Sequence, residues 1–176
     1  FLLDAEIQQP NGLFWHSRST PYFWGRGNGF AALGFSEALS YIPEDYVSRD
    51  EILRIHVLHL EAMKSCQLLN GMLTEVLEFP GSYPEHTVTC MLGYSVARGL
   101  IEGWLDDRYR PMVDLAWSGV AERISLSGGL VDGCTGTGPQ ADLRSYLDRP
   151  AEVGHDDRTG NLALWFAVEM ERLTRQ

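Results

Sequence analysis

Apolar residues along this chain return at helical spacing in five stretches, and nowhere do they alternate over a run long enough for an extended strand. In the first stretch Ala31, Phe35, Ala38, Leu39 and Ile42 recur three or four residues apart, and the pattern stops between Tyr41 and Pro43. A second helix is predicted from a cap at Ser48 or Asp50. It carries Ile52, Ile55, His59, Ala62 and Cys66 along one line and Leu53, Val57 and Leu60 along another, so it should be packed on two sides. The third stretch, TVTCMLGYSVARGL, is weakly polar and rich in small residues, as suits a helix buried among neighbours. A fourth helix begins at Asp106 or Asp107, accepts Pro111 in its first turn, and places Val113, Ala116, Trp117, Val120 and Ile124 on one face. The fifth, capped near Thr159, carries Leu162, Trp165, Phe166, Glu169 and Leu173.

A short phrase recurs between these helices: NGLFWH at 11–16, NGMLTE at 70–75 and GGLVDG at 128–133, with middle glycines Gly12, Gly71 and Gly129 almost evenly spaced. Loop, helix, helix repeated in this way is the layout of an α/α toroid, with every phrase on one rim. His16, Glu75 and Asp132, three or four places after each glycine, should then point from that rim toward a common centre. One domain over 1–176 is expected. A closed ring needs about twice the helices counted, so the reading places part of the ring before Phe1 or on a second chain.

Composition narrows the partners. The formal net charge is -10 and the pI about 4.8, which argues against nucleic acid and anionic membrane surfaces. An anionic ligand would have to be recognised by a few placed arginines. No apolar run approaches the ~20 residues that span a bilayer. The opening FLLDAEIQQP carries Asp4 and Glu6 and no basic start, unlike a secretion signal, and the expected compartment is the cytoplasm, with the periplasm or secretion as the alternatives. Cys66, Cys90 and Cys134 have neither CxxC spacing nor histidines at zinc spacing and read as free thiols, with no metal site.

The segment PYFWGRGNGFAALGF at 21–35 sets two aromatics and an arginine among alternating glycines, where backbone must turn or let something approach closely. It lacks the lysine of a phosphate-binding loop. Asn28 could cap the helix that follows. His56 and His59 share a helix without ligand partners and read as packing residues, and His86 and His155 as surface or packing residues. The pairs Asp106-Asp107 and Asp156-Asp157 suit helix starts. In the turn CTGTGP, Gly136, Thr137 and Gly138 could offer amides and a hydroxyl to a sugar acid, although a plain turn explains them equally well.

Taken in order, GLFWH, YFWGRGNGFA, GSYPEHTVTCMLGYSVARG, GCTGTG and the late DDRTG resemble the unsaturated glucuronyl and rhamnogalacturonyl hydrolases of glycoside hydrolase families 88 and 105, over nearly the whole chain but about the C-terminal half of a family member. The resemblance implies an all-α (α/α)6 barrel, about half of it present. It implies removal of a terminal unsaturated uronic acid from lyase-generated oligosaccharides, with no cofactor. An aspartate protonates the vinyl ether double bond and assists water to add across it. By position, Trp24 and Arg26 match the tryptophan and arginine that line the sugar subsite, and His16 the histidine ahead of them. Phe30 stands where a second tryptophan is usual and Leu73 where an aromatic is expected. With Asn28 of the same segment, His16, Trp24, Arg26 and Phe30 are the expected substrate contacts, and His16 and Arg26 take supporting catalytic roles. Arg26 offers a planar fork to the uronate carboxylate and Trp24 a flat face to the ring. The catalytic aspartate belongs ahead of GLFWH, and Asp4 lies too close to His16 to match it. The chain is therefore expected to be inactive alone unless an N-terminal segment or a second chain completes the ring. Two other readings stay open: an inverting glycosidase using Glu75 and Asp132, and a non-catalytic carbohydrate-binding half-barrel.

Overall fold

The computed structural model describes residues 6–136 and 138–176. Phe1, Asp4 and Thr137, on which expectations above rest, lie outside the described residues. Helices α1 (Gly25–Tyr41), α2 (Arg49–Ser65), α3 (His86–Ile101), α4 (Arg110–Ala121) and α6 (Asp157–Thr174) correspond to the five periodic stretches. A further short helix, α5 (Leu143–Leu147), has only five residues and no period to announce it. A 3-10 turn (Asp107–Tyr109) leads into α4, and two antiparallel pairs complete the set: β1 (Leu73–Thr74) with β2 (Pro84–Glu85), and β3 (Leu130–Gly133) with β4 (Glu152–Gly154).

The three phrases fold into one repeated turn. Gln9 N donates to Leu13 O and Gly12 N to Gln9 O, each at 2.8 Å. The same pair of bonds joins Leu68, Met72 and Gly71, and again Ser125, Gly129 and Gly128. The turn glycine with positive φ is successively Gly12 (91°), Gly71 (84°) and Gly128 (82°), so the third phrase aligns on Gly128 rather than Gly129. Asn11 and Asn70 secure the first two turns by accepting the amides of Leu13 and Met72. Gly71 also lies against the Leu115 carbonyl of α4, where a Cβ would fall well inside van der Waals contact.

The helices form two rows. Helix α3 runs between α1 and α6, with α4 packed outside it and α2 outside α1. All but three of the 16 residues of α3 are buried. Its small residues permit this: a Cβ on Gly93 would overlap the Phe166 ring of α6, and a Cβ on Gly29 of α1 would overlap Met91 of α3. Three inner and two outer helices with all phrases at one end make half of an (α/α)6 toroid.

Helix α1 starts at Gly25, so GRGNG is its first turn rather than a loop before it, and Asn28 is not its cap. The first amide of the helix, left without an intrahelical acceptor, is satisfied from outside, where Gly25 N donates to Glu75 O at 2.7 Å. Asp106 and Asp156 do accept first-turn amides, from Arg108 and Arg158. The cap of α6 is thus Asp156, while Thr159 is buried and bonds to Thr87. Ile124 lies past the end of α4 and is exposed. Trp165 turns outward with its ring 5.5 Å from that of Tyr94. All three cysteines are free.

Candidate functional site

At the end of the bundle that carries the repeated turns, the chain from Tyr22 to Trp24 lies between two other segments. His16 N donates to Tyr22 O at 2.9 Å, and Leu77 N donates to Phe23 O at 3.0 Å, next to an antiparallel bridge between Trp24 and Val76. These backbone bonds bring His16, Trp24 and Glu75 together from three distant places. The His16 ring lies 4.3 Å from the Trp24 ring, and Trp24 Nε1 donates to Glu75 Oε1 at 3.2 Å.

The connection between β3 and β4 closes over this group. Tyr146 of α5 sets its hydroxyl 2.6 Å from His16 Nδ1. Arg149 donates from Nη1 to Glu75 Oε1 at 3.1 Å and from Nη2 to Gly138 O at 2.9 Å. Arg26 Nη2 donates to the carbonyls of Thr135 and Gly136 at 2.9 and 2.6 Å. Thr135, Gly136 and Gly138 therefore offer carbonyls to the arginines, the opposite polarity from the amides expected of Gly136 and Gly138. Both guanidinium groups lie over Trp24, 4.7 Å (Arg26) and 5.8 Å (Arg149) from the ring centroid. Trp24 and Arg26 are 3% and 2% exposed. Trp24, Val76 and Tyr146 form a small apolar cluster apart from the main core.

The two buried glutamates beside Arg26, Glu75 and Glu85, differ. Glu75 receives hydrogen bonds from Trp24, Arg149 and, at 3.3 Å, the Tyr83 hydroxyl. Three donors converging on one carboxyl make it an acceptor, although burial pushes its pKa up against the pull of Arg26 and Arg149. Glu85, at the start of α3, sits 3.4 Å from Arg26 Nε in ion-pair range, yet neither carboxyl oxygen has a hydrogen-bond partner among the described residues. Burial raises its pKa to about 8, partly offset by Arg26. His16 is shifted the other way, below its ordinary value, by burial and by Arg149 and Arg26, which keeps the ring neutral at pH 7.

The remaining expected residues lie elsewhere. The Asn28 amide is buried in the loop-to-helix joint. Its Oδ1 accepts from Phe14 N at 2.8 Å and pairs with His59 Nε2 at 3.1 Å, while Nδ2 donates to Phe14 O and Trp24 O. His59 and His56 are fully buried, and burial lowers each pKa to about 3. His86 is buried with Nδ1 on Val131 O at 3.2 Å. Phe30 is 55% exposed and lines a cavity of about 500 Å³ with Phe14, Trp15, His16, Phe35 and Ile52. His16 is the polar side chain shared by that apolar cavity and the arginine cluster.

Asp132 does not join the centre as the repeat predicted. The pairing of β3 with β4 slips by one residue between Leu130 and Gly133, and Asp132 takes φ 60° at that bulge. The bulge re-aims its side chain to Arg123, whose Nε donates to it at 3.0 Å. Tyr83, Glu85, Tyr146 and Arg149 were not among the residues singled out. Tyr146 and Arg149 lie in SYLDRP, a run too short to show any period, and their partners are more than 70 residues away.

Among the described residues no group of three metal-binding side chains occurs, and no helix is long and apolar enough to cross a membrane. A family model described as Glycosyl Hydrolase Family 88 matches residues 7–174. The unsaturated 3S-rhamnoglycuronyl hydrolase of Alteromonas sp. (strain LOR) is 28% identical over 111 residues, which are 61% of this chain and 27% of that protein. A possible member of the GH105 family from Salmonella enterica superposes with a TM-score of 0.89 at 23% identity, over 98% of this chain and 48% of its own. The unsaturated glucuronyl hydrolase of Bacillus sp. GL1 gives 0.70 at 12% identity, over 99% and 50%. The chain thus spans about half the length of these solved structures and about a quarter of the curated relative. Matched over nearly all its residues by that model, the chain belongs to glycosyl hydrolase family 88.

Proposed function

We propose that this chain supplies the C-terminal half of a glycosidase that removes a terminal unsaturated uronic acid from oligosaccharides. The observation that carries the reading is the convergence of His16, Trp24, Arg26 and Arg149 at the turn-bearing end of a family 88 half-barrel. An indole with two guanidinium groups over it suits a ring bearing a carboxylate, which would replace the Thr135 and Gly136 carbonyls now held by Arg26. The neutral His16 keeps the ability to orient a sugar hydroxyl or water.

In this reading a carboxylic acid outside these 176 residues delivers a proton to one carbon of the vinyl ether, and water adds its hydroxyl to the other. The hemiketal so formed opens and releases the remaining oligosaccharide. The half-ring accounts for the outside donor. Helix α3 has an inner neighbour on each side, whereas α1 has α3 as its inner neighbour on one side only. Its flank bearing Ala31, Phe35 and Ala38 faces a cavity bounded by Phe14, Trp15 and, from the outer helix α2, Ile52, rather than by a further inner helix among the described residues. An N-terminal segment or a second chain completes the ring there.

An inverting reaction by Glu75 and Asp132 is less well supported, because the two belong to separate networks, one on Trp24 and Arg149 and the other on Arg123. Loss of the ultraviolet absorbance of an unsaturated disaccharide is the deciding assay. The chain alone should bind the sugar without turnover, and turnover should appear when the completing half is supplied. Turnover by the 176 residues unaided would remove the outside acid from the scheme.

A further inference from the structure

Two arginines and one converging carboxylate set the charge that the cluster around Trp24 can offer a ligand, and the carboxylate is the unexpected member. Glu75 is fully buried and accepts from Trp24 Nε1, Arg149 Nη1 and the Tyr83 hydroxyl. It therefore occupies, from inside the protein, the same kind of position that a sugar carboxylate would take from outside: an anion on a guanidinium beside an indole. An anionic sugar must compete with it for Arg149, or bind beside it and meet its repulsion. A neutral sugar meets neither.

We propose that Glu75 is a specificity-determining residue, an internal counter-carboxylate that restrains Arg149 and sets how strongly this cluster prefers an acidic sugar over its uncharged counterpart. Arg149 is then the second carboxylate anchor, alongside Arg26. The inference rests on the uronide reading and sharpens it, since it assigns the discrimination to two side chains that share one ion pair. Burial magnifies the effect. Arg149 and Glu75 are 9% and 0% exposed, so their interaction is little screened by solvent.

The substitution Glu75→Gln keeps the shape and one oxygen acceptor for Trp24 while removing the charge. Calorimetry with the 176-residue chain would compare an unsaturated uronyl disaccharide with its methyl ester. The expected result for E75Q is about tenfold tighter binding of the acid and little change for the ester, whereas Arg149→Gln loses about tenfold for the acid alone. Equal changes for the two sugars, or a weaker preference for the acid in E75Q, would overturn the inference and leave the uronide reading standing. Failure of the unsubstituted chain to bind either sugar would overturn both. If E75Q does not fold, Glu75→Asp takes its place, since it draws the carboxylate back from Arg149 by one methylene and should likewise tighten the acid alone. Unchanged binding of the acid by that variant would overturn the inference. R149Q tests the second anchor, because a purely structural Arg149 would weaken acid and ester together.

Discussion

Glu85 gives the sharpest test of the electrostatics built into this fold. It is fully buried at the start of α3, with the Arg26 guanidinium of α1 as the cation 3.4 Å away and Glu75, Tyr83, Cys90 and Cys134 as the other titratable groups around it. Its pKa rises from an ordinary 4.5 to about 8 on folding. Between those values the native state holds a proton that the unfolded chain has released. The stabilisation is fully present below the unfolded pKa and is lost as pH rises through the folded one. The slope is about 1.4 kcal/mol per pH unit for one proton. His56 and His59 act with the opposite sign. Their folded pKa values of about 3 lie below the ordinary 6.5, so their contribution is present above 6.5 and is lost as pH falls toward 3. Two histidines outweigh one glutamate on the acid side, and Glu85 acts alone of these three above 6.5. Stability should therefore peak near pH 6.5 and fall by about 2 kcal/mol toward pH 8. Urea unfolding at several pH values, run on the native sequence and on Glu85→Gln, measures the difference directly. The variant should lose most of the alkaline decline, since its amide has no proton to release. Parallel pH profiles for the two proteins would show that Glu85 is ionised in the native state and would refute the reasoning.

Other expectations follow from single contacts. Asn28→Ala removes four bonds in the joint between the first turn and α1, leaving the Phe14 amide and carbonyl buried and unpaired, and should cost about 3 kcal/mol in urea unfolding. On one helix, Gly29→Ala and Gly34→Ala should have opposite signs. The first drives a methyl into Met91 and should cost about 2 kcal/mol, and the second meets open space and should gain up to about 1 kcal/mol from helix propensity. Arg26→Ala should weaken an unsaturated uronide at least tenfold more than its neutral analogue in a binding titration. Equal losses would remove the carboxylate role from Arg26.

The sequence by itself determined the helices and their repetition. Apolar positions such as Val113, Ala116 and Val120 report a 3.6-residue period directly, because the face they form is the face that must leave water. The recurrent Asn-Gly phrases were equally legible, since a turn with positive φ selects glycine locally whatever lies around it. Tertiary structure decided what local pattern cannot encode. Gly25 and Gly29 read as loop residues, yet they lie within α1, because the contacts that demand them come from Thr74 and Met91 on other elements. Asp132 has the right spacing to reach the centre, but a one-residue bulge in its pairing with β4 turns it to Arg123. Tyr146 and Arg149 carry no period and no motif, and they gain a role only when the β3–β4 connection closes on His16 and Glu75. Period and turn chemistry act within a few residues of the chain, whereas the site is made by bonds between side chains brought together from far apart, and only the folded packing sets those distances.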